Sequence, residues 1–219
     1  MAQTFFLAVV AGTATAVTLL CRRAAPAATP VVVGLLIIWL LMTGVIGASG
    51  LLATFTTAPP PILRLVAVSG ILTTIVAMSP LGKRVSQAPL AWLAGLHSFR
   101  ILVEFFLYLG YRQGFVPVQM TWEGRNWDVL SGLSAVVMAW LAARGRLSKP
   151  ALLVWNLAAL ALLLNIVAVA ILSMPTPWRQ FHNEPANIFV TQFPYVWLPV
   201  FLVQTAWFGH MIIFRRLRG

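Results

Sequence analysis

Seven apolar runs divide this chain, at about residues 4–20, 31–53, 62–79, 89–109, 128–143, 150–173 and 190–213. The hydrocarbon core of a bilayer is about 30 Å thick, and a helix needs about 20 apolar residues to cross it. The pattern predicts an all-α polytopic membrane protein, one transmembrane domain of seven helices over residues 1–219. Composition removes the soluble alternative. Only 9% of residues are charged, where a soluble domain carries about 25%, and 4 acidic side chains among 219 residues cannot solvate a surface. A single cysteine, Cys21, excludes an internal disulfide and a cysteine-built zinc site.

The net charge of +11 raises nucleic acid as a partner, and its distribution rejects it. Basic residues cluster between apolar runs instead of forming a patch interleaved with aromatics. The clusters are Arg22 and Arg23; Lys83 and Arg84; Arg144, Arg146 and Lys149; and Arg215, Arg216 and Arg218. They fall in alternate loops and the C-terminal tail, whereas Arg64, Arg112, Arg125 and Arg179 are scattered over the other side. The positive-inside rule then predicts an N-terminus outside and a C-terminus in the cytoplasm of a plasma membrane. No positive charge precedes the first run, and its arginines follow it, so it reads as a span and not as a signal peptide.

Function is expected on the outer side. The basic loops are short and hold no phosphate-binding glycine motif. The loops at 110–127 and 174–189 are longer and rich in Trp, Pro, Asn, Glu and Arg, the composition of ordered caps. Gly44, Gly47 and Gly50 in the second run, with Gly132, Ala135 and Ala139 in the fifth, predict close helix packing.

The fourth run carries the most informative pattern. His97, Arg100, Glu104, Tyr108 and Tyr111 fall at helical spacing within a stripe about 80° wide. A charge at the bilayer centre costs about 2.5–3.5 kcal/mol on insertion scales, so these side chains are expected to face the bundle interior. Arg100 and Glu104, spaced i, i+4, are expected to pair with each other. The functional reading is a hydrophilic crevice entered from outside and reaching Glu104; the alternative is an ion pair that only fixes the helix.

In the first cap, a tight turn at Gly124 is expected to gather Glu123, Arg125 and Asn126 as ligand contacts, with Asp128 capping the fifth helix. In the second, Pro177 is expected to start a short interfacial helix, with Arg179, His182, Asn183 and Glu184 supplying charge near the first cap. Asn156 and Asn165 point to opposite faces of the sixth helix, so at least one should bond a neighbouring helix. Pro199 should kink the seventh by freeing a carbonyl near Tyr195. The three histidines, read at three depths, argue against a shared metal or haem, and the sequence names no cofactor.

Several stretches carry a family resemblance: Arg100-x-x-Val103-Glu104, Met120-Thr121-x-Glu123-Gly124-Arg125-Asn126-x-Asp128, Pro175-Thr-Pro-x-x-Gln-Phe and Phe193-Pro-x-x-Trp197-Leu-Pro199. From about residue 90 the chain resembles a family of bacterial integral membrane proteins without an assigned activity. The resemblance implies a bacterial multi-span protein, and His97 lies outside its pattern.

These features favour small-solute binding or transport at an outward-facing polar site built from Arg100, Glu104, Tyr108, Glu123, Arg125, Asn126, Arg179, His182 and Glu184. The expected partners are the lipid bilayer and a small anionic or polar ligand, with homo-oligomerisation open. Two alternatives stand beside it. One is a membrane-embedded enzyme acting on a lipid or other anionic substrate at the outer leaflet; the other is a noncatalytic assembly or scaffold protein.

Overall fold

The computed structural model describes residues 1–218, and among them there are helices and no strands. The α-helices are α1 (Ala2–Ala24), α2 (Thr29–Ala48), α3 (Pro61–Met78), α4 (Pro80–Ser86), α5 (Leu90–Gly95), α6 (Phe99–Arg112), α7 (Val129–Ala143), α8 (Lys149–Leu172) and α9 (Val203–Arg218). Six stretches are long and apolar enough to cross a membrane: Ala2–Ala24, Pro26–Ala48, Pro61–Met78, Leu90–Arg112, Lys149–Leu172 and Leu198–Arg218. The α2 stretch, with a mean hydropathy of 2.6, keeps Val31, Leu35, Ile38, Leu41 and Val45 exposed. An apolar helix that is exposed in this way is built to meet lipid.

The fifth apolar run is the short one. With 15 residues, α7 rises only about 22 Å. Residues 113–128 fold inward ahead of it, burying Val116, Gln119, Met120, Thr121, Asn126 and Asp128. Irregular backbone at such depth requires its polar groups to be satisfied within the protein. Here the Arg125 N–H donates to Gln119 O at 3.1 Å, Gly124 N–H to Thr121 O at 3.0 Å and Asn126 N–H to Thr121 O at 3.2 Å. Gly124 is required by close approach, because a Cβ there would sit 2.5 Å from the Gln119 Cα.

The helices have a basic end and a cap end. At the basic end, Arg215 donates to Ala77 O at 2.7 Å and to Ser79 O at 2.9 Å, and Arg23 lies 5.1 Å from the Trp92 ring centre. The loop expected at 80–88 contains α4, whose N-cap Ser79 accepts from Gly82 N–H at 3.3 Å. Helix α9 is the centre of the bundle. It packs on α3, α4, α5 and α8, and α3 and α8 share no extended contact with each other.

Two runs carry irregular turns within the helices expected. The fourth is one helical stretch, Leu90–Arg112, tightened to a 3-10 turn over Leu96–Ser98 between α5 and α6. The seventh becomes regular α-helix only at Val203, after a π-helical turn at Leu198–Leu202. Proline removes a donor at that turn, but Tyr195 O is not left free, since Leu198 N–H donates to it at 2.9 Å. Side chains serve the turn's own carbonyls instead. Trp39 Nε1 donates to Val200 O at 3.1 Å, and Gln204 Nε2 to Pro199 O at 3.0 Å. Gly44 and Gly47 of α2 pack against residues 193–197, just ahead of this turn, where a Cβ at Gly47 would lie 2.8 Å from the Val196 Cγ1, whereas nothing lies within 4 Å of a Cβ at Gly50. In the second cap, Pro177 starts no helix; residues 175–188 are turns and extended chain.

Candidate functional site

Arg100 and Glu104 face the bundle interior, 2% and 1% exposed, but they do not pair with each other. Arg100 reaches across 28 residues to Asp128. Its Nε donates to Asp128 Oδ2 at 2.7 Å and its Nη2 to Asp128 Oδ1. The same guanidinium donates from Nη2 to Ala159 O at 3.1 Å and from Nη1 to His210 Nε2 at 3.2 Å. A two-pronged match of guanidinium to carboxylate is the geometry that best repays desolvation of both charges. Asp128 therefore does not cap α7 with its side chain; it accepts from Arg100 and, at 3.2 Å, from the Ser131 hydroxyl. The local signal for a cap was overridden by a buried cation in need of a counter-ion.

The ion pair extends into α8 and α9. His210 Nδ1 donates to Asn156 Oδ1 at 2.8 Å, and Asn156 Nδ2 donates to His210 O at 3.2 Å. With Nδ1 carrying the proton, Nε2 is the acceptor that Arg100 needs. Asn165, on the opposite face, donates to Arg125 O at 2.8 Å, so both asparagines of α8 bond outside their own helix.

The histidines are not at three depths. His97 and His210 lie ring to ring, with centroids 4.3 Å apart. The His97 ring is fully buried beside Trp155, and neither of its nitrogens has a hydrogen-bond partner. Among the described residues, no group of three or more His, Cys, Asp or Glu side chains could hold a metal ion.

Glu104 has a different environment from Asp128. Its two oxygens accept from one donor, Asn126 Nδ2, at 2.7 and 2.6 Å, and no cation lies within 4.0 Å of it. Asn126 is itself locked, since its Oδ1 accepts from the Asp128 N–H at 3.0 Å. One asparagine thus holds both buried acids in register, and Glu104 is the one of the two without an ionic partner.

A cavity of about 80 Å³ opens beside this group, between α6 and α9 and flanked by α3 and α8. Its wall is apolar, built from residues such as Leu63, Val103, Leu163, Ile166, Leu202 and Ala206. Arg100, Glu104, Asp128 and Asn187 are its polar members. The space beside the fourth run is therefore an oily chamber with its polar residues buried in the wall, not the hydrophilic crevice expected. Asn187 donates from Nδ2 to Ala170 O at 2.9 Å, while its buried Oδ1 has no partner.

The remaining expected site residues stay at the cap end. Tyr108 stacks on Trp122, with ring centres 4.6 Å apart, and its hydroxyl accepts from Arg112 at 3.0 Å. Glu123 and His182 are exposed. Arg125 lies 5.5 Å from the Phe181 ring centre, and Asn183 Nδ2 donates to Gln119 Oε1 at 2.8 Å, so the two caps interlock. Arg179 pairs with Glu184 at 3.0 Å and donates to Phe181 O and Asn183 O, both at 2.7 Å. The Arg179 hydrogen bond, and then the Ala186 N–H, hold the Glu184 carboxyl below the usual carboxylate range. These contacts order the two caps locally, and none of these charged side chains lines the chamber.

Of the expected residues, then, the structure gathers Arg100, Glu104 and Asn126, and it leaves Tyr108, Glu123, Arg125, Arg179, His182 and Glu184 outside. Asp128, Asn156, His210 and Asn187 join the group unannounced. For Asp128 a signal existed: it is one of only 4 acids in the chain, adjacent to an apolar run. Nothing local marked Asn187.

A family model described as a domain of unknown function (DUF8737) matches residues 60–218, and the chain belongs to that family. Every residue lining the chamber falls inside the matched segment, while α1 and α2 precede it. No curated protein and no solved structure matches the chain.

Proposed function

We propose that this protein crosses a bacterial plasma membrane seven times, with its N-terminus outside, and binds and moves a small solute through the chamber beside Glu104. Counting α7 as a span rests on its apolar face and on residues 113–128, which supply the depth that 15 residues cannot. The orientation rests on the basic clusters at one end of the bundle. The observation that carries the functional reading is a carboxyl, 1% exposed and without a counter-ion, in the wall of an apolar cavity. A buried acid left without a cation is costly, and it is kept where a partner arrives from elsewhere.

Transport is favoured over the other readings by particular contacts. An enzyme acting on an anionic lipid would need a free guanidinium, and Arg100 already spends four of its five N–H donors on protein acceptors. A pure scaffold has no use for the chamber. The π-helical turn at Leu198–Leu202 lines the chamber and is the point where α9 can flex, as such turns do at functional sites.

The test is a thermal-unfolding screen of the purified protein with small amphiphilic solutes, followed by flux of the hits from reconstituted vesicles. A solute held at 100 times its Kd stabilises by about 2.7 kcal/mol. The expected result is that hits stabilise the native protein, that Glu104→Gln weakens their binding at least tenfold, and that flux falls with it. Glu104→Gln keeps an acceptor for Asn126 and should unfold close to the native temperature. A variant that binds and moves every solute as the native protein does would overturn the proposal.

A further inference from the structure

The chamber's polar atoms also specify what kind of head group fits, provided that the chamber is a binding site as proposed above. Two groups in its wall are incompletely matched. Glu104 has no cation, and the Oδ1 of Asn187, fully buried, has no hydrogen-bond partner. A buried acceptor without a donor costs about 1–3 kcal/mol. Both residues line the same cavity of about 80 Å³.

The wall has almost no donors to offer in return. Asn126 Nδ2 is committed to Glu104 and to Met120 O at 3.0 Å. Asn187 Nδ2 is committed to Ala170 O, and Arg100 keeps one N–H free. An alcohol or amide brings lone pairs that this wall cannot satisfy, and a carboxylate brings charge of the wrong sign. A protonated amine brings donors alone, up to three of them, and the charge that Glu104 lacks. The apolar remainder of the wall calls for a hydrocarbon body, and the volume admits about six heavy atoms before the ligand projects from the opening.

We infer that the chamber takes a small amphiphilic amine, its ammonium held between the Glu104 carboxyl and Asn187 Oδ1 and its hydrocarbon body against α8 and α9. Anionic solutes are excluded by the same wall, since the only guanidinium there is closed by Asp128.

Titration calorimetry of the purified protein in detergent with hexylamine, hexanol, hexanoate and hexane tests this. These probes share a chain and differ only in the head. Hexylamine is expected to bind at least tenfold more tightly than hexanol, with hexanoate weakest. Glu104→Gln should erase that preference, and Asn187→Ala should reduce it severalfold while the unfolding temperature shows the fold retained. The comparison among heads uses the native protein, so it stands even if a variant misfolds. Equal affinity for hexylamine and hexanol, or amine binding untouched by Glu104→Gln, overturns the amine assignment and leaves the chamber as a site for apolar solutes. Failure of all four probes to bind above detergent alone overturns the binding site itself, and this inference with it.

Discussion

Asp128→Ala should be the most damaging single substitution in this protein, costing about 3–5 kcal/mol of stability, because it leaves the Arg100 guanidinium buried without a counter-ion. The carboxylate has no substitute nearby. Glu104 is bound to Asn126, and the other contacts of Arg100 are neutral, a carbonyl and an imidazole. Thermal unfolding in detergent, with the yield of monodisperse protein, measures the loss. The double substitution Arg100→Met with Asp128→Leu should recover more than half of it, since replacing both partners removes the stranded charge. Recovery would be incomplete because His210 Nε2 and the Ser131 hydroxyl lose their partners as well. Glu184→Gln breaks the exposed ion pair of the cap and should leave the unfolding temperature unchanged. A protein that tolerates Asp128→Ala as easily as Glu184→Gln does not depend on the buried pair.

The second large effect belongs to Gly132. Here α7 presses against α6 so closely that a single Cβ would lie 2.7 Å from both the Ile101 N and the Ile101 Cγ1. Backbone cannot yield as a flexible side chain can, so α7 would have to move away from α6 and carry Asp128 with it. Gly132→Leu should therefore cost at least the 1–3 kcal/mol typical of overpacking, and it should also stretch the Arg100–Asp128 contact. Gly12→Ala is the control. Nothing lies within 4 Å of that position, and alanine favours the helix of α1 by about 0.5–1 kcal/mol. Unfolding temperatures separate the two: lowered by many degrees for Gly132→Leu, level or raised for Gly12→Ala. Equal behaviour would mean that the contact between α6 and α7 is looser than described.

Six long apolar helices were legible in the sequence because a run of about 20 apolar residues has few other uses. The inward face of α6 was legible for a related reason: Arg100 and Glu104 cannot be left facing lipid, so their direction follows from charge alone. Their partners did not follow. Helical spacing offers the i, i+4 neighbour, whereas the true counter-ion of Arg100 is supplied by a cap that folds 28 residues away, and its return path depends on Gly124 and on a web of backbone hydrogen bonds.

His97 and His210 are instructive in another way. Each sits about two helical turns from the basic end of its stretch, a common depth that emerges only because α9 continues to Arg218, past the apolar run that ends near residue 213. The chamber could not have been read at all. Leucines, valines and alanines that line a void look like those that fill one, and only their packing tells them apart. Aromatic and charged caps drew attention for their composition, yet their side chains bond to one another.

Glu104 and Asp128 share the wall of the apolar chamber, and only Asp128 is paired with a cation, Arg100; that difference is the relation on which the functional account depends. Carbodiimide labelling tests it directly, because the chain has only 4 acids to map, Glu104, Glu123, Asp128 and Glu184. Diisopropylcarbodiimide, a small apolar reagent, should modify Glu104 well ahead of Asp128. A water-soluble carbodiimide should modify Glu123 and Glu184 and spare both buried acids. Mass spectrometry showing Glu104 as unreactive as Asp128 toward the apolar reagent would contradict the account.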